Sequence, residues 1–307
     1  MSLGRASARR QRAAGTPGAD AGRWRRAQRA GRRWGLWGAV LGVVIGAVLQ
    51  APAQWLADGL HRATDARLLL AEARGSLWNG SAVLVLTGGA DSRDAAALPG
   101  RLHWQLRPNW RGLQLTARQA CCLPGDLRLQ WQPGWGRYTV TLGDGATGTA
   151  PAVPGAVGAA GPATPVIGHW PAAWLAGLGT PWNTLQLGGQ LRLSSPGLQL
   201  QSVAGRLRLD GALTLALQDV SSRLSTLPAL GSYRLQVQGA GRAGEATTLQ
   251  LSTTDGALRL SGSGQWTGAR LRFVGEARAA DGQESALSNL LNIIGRRQGA
   301  LSVISIG

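Results

Sequence analysis

Over most of the chain beyond residue 58, leucines and polar residues take turns along short runs. Leu102, Trp104 and Leu106 alternate with His103, Gln105 and Arg107, and Leu127, Leu129 and Trp131 alternate with Arg128, Gln130 and Gln132. Leu207, Leu209, Leu213, Leu215 and Leu217 hold one parity, against Arg206, Arg208, Asp210, Thr214 and Gln218 on the other. Arg259 and Arg272 likewise sit between Leu258 and Leu260 and between Leu271 and Phe273. A period of two marks strands with one apolar and one polar face. Turn signals separate the runs at Pro133-Gly134, Ser195-Pro196-Gly197, Asp210-Gly211 and Asp255-Gly256. Together they predict a mainly β chain, an antiparallel meander of about ten strands or more. Periodicity alone leaves a closed barrel, a sandwich and an open curled sheet equally available.

Two stretches depart from this period. Leu287, Leu290, Leu291 and Ile294 fall at i, i+3, i+4 and i+7, which predicts one C-terminal amphipathic helix. Asp281 and Glu284 read as its capping box and Gly295 as its C′ residue, with a last strand over Leu301–Ile306. The other departure is 143–168, a Gly/Ala/Pro-rich insertion that splits the β body into 68–142 and 169–307.

The N-terminus has a different pattern. From Trp34 to Ala57 no residue is charged, and about 20 apolar residues cross a bilayer core. All 32 basic residues are arginine, and ten of them, against one acid, lie in residues 1–33. The net charge of +17 is thus concentrated in a tail without apolar periodicity, expected to be disordered. Arginine ahead of an apolar run holds the N-terminus in the cytoplasm, and Trp34, Trp37 and Trp55 stand near its ends as interfacial aromatics do. The expected organisation is a basic cytoplasmic tail (1–33), a single transmembrane helix (34–57) and an external β domain (58–307). This context argues against nucleic acid as the target of the arginines. Val40–Leu49 followed by Ala51-Pro52-Ala53 also imitates a cleavable signal peptide, but the long basic region and the proline favour an uncleaved anchor. Gly38, Gly42 and Gly46 line one helix face with small residues, a candidate packing surface for another helix.

Candidate chemistry is sparse. His61, His103 and His169 show no metal-ligand spacing, and no phosphate-binding loop occurs. The expectation is a non-enzyme without cofactor. Arg206, Arg208, Arg259 and Arg272 could dock acidic partners or simply solvate a sheet face. Cys121 and Cys122 are the only cysteines, and outside the cytoplasm an adjacent pair favours a vicinal disulfide across a tight turn. Neighbouring thiols on opposite faces of a strand are the alternative. Trp78, between Gly75 and Gly80 at the entry to a strand, is expected to fold back and plug an open end of the sheet, the glycines supplying unusual backbone conformations.

The block "LAEARGSLWNGSAVLVL" after a single N-terminal span resembles the type II secretion system protein N family. The later blocks "GSYRLQVQG", "LQLSTTDGALRLSGSGQWTGARLRFVGEARA" and "SALSNLLNIIGRRQGA" are similar in order and spacing, over roughly 35–307. The resemblance implies a single-pass bacterial inner-membrane protein with a periplasmic domain and other type II secretion subunits as partners. It also implies a relationship to AsmA-like envelope proteins, hence an open curled sheet with an apolar groove. An AsmA-like handling of lipid in that groove is the alternative function. The resemblance carries no catalytic residues.

Overall fold

The computed structural model describes residues 35–143, 164–203, 205–241, 245–268 and 270–307, in two units that divide between Gln50 and Ala51. The basic tail and most of the Gly/Ala/Pro insertion lie outside the described residues.

In the first unit the chain is helical over 35–49 (α1). Its side chains are exposed all round, with Trp37, Val43 and Leu49 each more than 60% accessible. The 24-residue span expected over 34–57 is not one helix. Among the described residues no helix is long and apolar enough to cross a membrane. Gln50 turns, Pro52 has no N–H with which to continue the helix, and Ala51 and Ala53 are buried in the second unit. A separate amphipathic helix, α2 (Gln54–Ala63), follows. Its Leu56, Ala57 and Leu60 pack toward a core of Ala53, Leu70, Ala82 and Trp104. The helix thus runs past Asp58, the first residue of the expected β domain.

Among the described residues the second unit is one antiparallel sheet of sixteen strands. Its N-terminal part comprises β1 (Leu68–Gly75), β2 (Asn79–Thr87), β3 (Ala95–Ala97), β4 (Leu102–Asn109), β5 (Gly112–Arg118), β6 (Leu127–Gly134) and β7 (Arg137–Leu142). After β8 (Val166–Pro171), a 3-10 helix (Ala172–Leu178) and α3 (Trp182–Leu185), two 17-residue strands form the centre, β9 (Leu187–Val203) and β10 (Arg206–Ser222). The remainder is β11 (Gly231–Gln238), β12 (Thr247–Gly256), β13 (Leu258–Trp266), β14 (Leu271–Ala279), α4 (Glu284–Ile294), β15 (Arg296–Gln298) and β16 (Leu301–Ile306). The strand order is β1-β2-β4-β5-β6-β7-β9-β10-β11-β12-β13-β14-β16-β15, with β3 on β2 and β8 on β9. Since β7 pairs directly with β9, the insertion does not divide the sheet, and its last residues, from Val166, are already strand.

The sheet is open, and both edges are blunted. At β1 the Leu68 N–H donates to Thr64 Oγ1 (3.2 Å), and Arg101 Nη2 donates to the Glu72 carbonyl (2.6 Å) beside a bulge. At the other edge β15 is three residues long and carries Arg296 and Arg297. Short, bulged or charged edges resist pairing with foreign strands. The β13–β14 turn reaches back to β10, where Gly268 lies against the Leu207 carbonyl too closely to admit a Cβ. Because β11 and β12 intervene in the order, the sheet bends there.

Helices cover both ends of the apolar face, the 3-10 helix and α3 joining α4 at one of them through Ala172, Leu175, Trp182 and Leu185. α2 covers the β1–β4 end. Over the other end, Leu287, Leu290 and Leu291 of α4, each at most 1% exposed, pack with Leu191, Val220, Tyr233 and Leu258. Ser302 Oγ donates to the Leu291 carbonyl (2.7 Å) and fixes the helix on β16. The expected capping box does not form: Gln283 is the N-cap, without a side-chain cap. Gly295 is extended (φ −170°) rather than left-handed. A Cβ there would come within 2.5 Å of the Val303 carbonyl, so glycine serves close approach.

Candidate functional site

The apolar rows between α2 and α4 are left partly accessible to solvent. The register places Leu113, Trp131, Val140, Leu200 and Leu209 side by side across β5, β6, β7, β9 and β10. The next row is Leu106, Leu115, Leu129, Leu142 and Leu198. These side chains are only half-buried, and Trp131 and Tyr138 are each 38% exposed. The period-two alternation thus produces one apolar face running the length of the sheet, of which the middle stays accessible to solvent. An accessible apolar strip rimmed by polar strands is a surface for apolar partners rather than for proton or electron transfer.

The turn at Gly75–Gly80 stands at one end of this face. Gly75 has φ +90°, and a Cβ would meet the Asn79 carbonyl at 2.5 Å, so the tight turn requires glycine there. Gly80 answers a different need. A Cβ on it would lie 2.7 Å from the Trp104 Cε2, so glycine makes room for the indole of Trp104. The ring that seals this end is Trp104 (4% exposed), whose Nε1 donates to the Leu77 carbonyl (3.1 Å). Trp78 is half-buried, and its carbonyl accepts the Leu106 N–H (2.7 Å). The sequence located the turn and its glycines but assigned the plug to the tryptophan inside the turn rather than the one across the strand pair. Strand parity puts Trp104 on the apolar face, and that was the available signal.

Cys121 and Cys122, in the turn between β5 and β6, are joined as a disulfide with Cα atoms 3.7 Å apart. Cys122 is buried, and its carbonyl accepts the His169 N–H (2.8 Å), tying this turn to β8. Near it Asp126 receives both guanidinium branches of Arg118, and this hydrogen bonding holds the Asp126 carboxyl below its usual range. The three histidines are scattered: His61 on α2, His103 on β4 and His169 on β8. Among the described residues no group of three or more His, Cys, Asp or Glu could hold a metal ion. Arg208 is engaged by Asp210 (3.1 Å) and the Ala240 carbonyl (3.0 Å), while Arg206, Arg259 and Arg272 are exposed. At Gly38, Gly42 and Gly46 an added Cβ would meet open space.

In the covered end of the core, burial pushes the Tyr233 phenol well above its ordinary value, and its hydroxyl donates to the Leu258 carbonyl (3.1 Å). The folded state therefore retains this proton more tightly than the unfolded chain. Its contribution is complete below the unfolded value of about 10 and is lost as pH rises from there toward the folded value. Chemical denaturation at increasing alkaline pH should show wild type losing stability steeply. Tyr233→Phe, without the ionisable group, should lose less over the same interval. Parallel losses would mean that Tyr233 ionisation is not linked to folding.

The family model described as "Type II secretion system (T2SS), protein N" matches residues 66–303. The chain belongs to the type II secretion system protein N family. The match begins at Ala66, immediately before β1, and ends within β16, so it covers nearly the whole sheet but neither α1 nor α2. No curated protein and no solved structure matches the chain. As a member of this family the chain is a component of type II secretion, and other secretion subunits are its implied partners. The open apolar face, the Trp104 seal and the α4 cover all fall within the matched part.

Proposed function

We propose that the protein is an inner-membrane-anchored subunit of the type II secretion system that offers its periplasmic sheet as a docking surface and performs no catalysis. Membership of the family supports the secretion role. The observation that carries the anchored reading is α1, whose leucines, valines and tryptophan are exposed on every side. A helix apolar all round is stable only inside a bilayer or between other helices. The ten arginines ahead of it support a cytoplasmic tail and a periplasmic sheet. The Gly38, Gly42 and Gly46 face suits close contact with another membrane helix. Alkaline phosphatase fused after Gly307 should be active in cells, and deleting 35–49 should abolish that activity. An inactive fusion to the intact chain would refute the orientation.

A second reading rests on the accessible rows of Leu113, Trp131, Val140, Leu200 and Leu209, which could hold acyl chains. Phospholipid remaining with detergent-extracted protein, and lost on Leu200→Gln, would favour lipid handling over protein docking.

A further inference from the structure

We infer that one end of the sheet is a membrane-contacting rim, in which Trp110 and Trp135 enter the headgroup layer and Arg111, Arg137 and Arg206 engage anionic phospholipid. The inference rests on the anchored reading above and adds to it a second, separate contact with the bilayer.

Successive hairpins of an antiparallel sheet turn at alternate ends, and the register brings three tips to this end, the β4–β5 tip two residues short of the other two. The β4–β5 tip is Trp110-Arg111, closed by the Asn109–Gly112 pair. Gly134, Arg137, Val203 and Arg206 stand in one row, so the β6–β7 tip (Trp135-Gly136) and the β9–β10 tip project together. Trp135 is 102% exposed and Trp110 86%, the highest values for any large apolar side chain among the described residues. Both occupy turn positions, which Gly, Asn, Asp and Ser fill most readily. Gly134 and Gly136 already make the second turn, with Gly136 at φ +63°. The turns themselves do not require tryptophan, so its presence calls for an external partner.

The chemistry beside the rings identifies that partner. Arg111 lies over the Trp110 ring, its Cζ 4.2 Å from the centroid, and Arg137 and Arg206 are exposed in the adjoining row. The acids at this end are Asp210, which accepts from Arg208 (3.1 Å), and Glu245. Tryptophan settles at the water–hydrocarbon boundary, and each arginine near an anionic surface adds attraction to phosphate. Convex tips, unlike a groove, suit a deformable layer. The path of the chain agrees. The β unit begins at this same end, where the Leu77 N–H donates to the Ala51 carbonyl (2.8 Å) and the Ala53 N–H to the Gly75 carbonyl (3.1 Å), in the β1–β2 turn. The apolar helix stops at residue 49, immediately before that junction.

The test uses the full chain in lipid nanodiscs of phosphatidylcholine, with or without phosphatidylglycerol, made with plain or acyl-brominated lipid. The tips' share of tryptophan emission is the difference between wild type and W110F/W135F. We expect bromine to quench that share in discs containing phosphatidylglycerol, and the quenching to weaken in R111Q/R137Q/R206Q or without the anionic lipid. An undiminished share would overturn the rim, even where the protein enters discs. A share insensitive to bromine but altered by raising protein concentration would overturn it in favour of a second copy of the chain. Entry into pure phosphatidylcholine discs separately tests the anchor. Should entry fail, flotation on phosphatidylglycerol vesicles still decides the rim. Flotation weakened about a hundredfold in the triple arginine variant supports it, and no flotation of wild type overturns it. All five positions are exposed, so an unchanged circular-dichroism melt is expected for both variants.

Discussion

Trp104→Ala is expected to lower the melting temperature of the β unit by roughly 6–20 °C, the consequence of losing about 3–5 kcal/mol. Trp104 is 4% exposed and fills the space that Gly80 leaves open, with α2 lying over the same cluster. Truncation would leave a cavity between strands that hydrogen bonds hold apart, so collapse is restricted. It would also remove the donor to the Leu77 carbonyl, in the turn where the chain enters the sheet. Trp78→Ala serves as the comparison. That ring is half-buried, and its backbone link to Leu106 survives the substitution, so its melt should shift much less. Differential scanning calorimetry of the two variants decides the matter. Equal shifts, or a larger one for Trp78, would return the sealing role to the turn tryptophan.

Leu290→Ala should cost about 2–5 kcal/mol, with its effect concentrated at the C-terminal end of the sheet. Leu290 is 1% exposed, and with Leu287 and Leu291 it forms the contact that holds α4 over β14 and β16. No side-chain cap secures the start of this helix, so its stability rests on that apolar contact. Against a total of about 5–15 kcal/mol for a domain, such a loss is large. Hydrogen exchange should therefore accelerate over 284–306 before the β1–β4 end responds. Ile293→Ala, on the exposed side of the same helix at 39% accessibility, should leave both regions near wild type. Uniform acceleration in Leu290→Ala would show that α4 is not an independently releasable cover.

Much of this architecture was legible along the chain because its signals are local. The leucine spacing at 287, 290, 291 and 294 located α4, and the period-two runs located strands such as β4, β6, β10, β13 and β14. The adjacent cysteines fell at a turn, and a disulfide joins them there. The end of the apolar run at residue 57 misled, because absence of charge does not distinguish a membrane helix from buried soluble backbone. Ala51 and Ala53 are apolar since they fill a core, and α2 went unseen behind them. The insertion looked like a divider because nothing in it shows that β7 and β9 pair across it.

By itself the sequence determined which side chains share a face, where many strands turn and that the family is one of secretion components. Those follow from backbone periodicity, turn chemistry and the order of several blocks, none of which needs a distant residue. The tertiary structure alone decided that Trp104 and not Trp78 is sealed, which rows of the apolar face lie under α2 and α4, and that three hairpin tips share one end of the sheet. Each depends on strand register. Register is set by hydrogen bonds and side-chain fit between segments far apart in the chain, and a one-residue slip would move every apolar side chain to the opposite face.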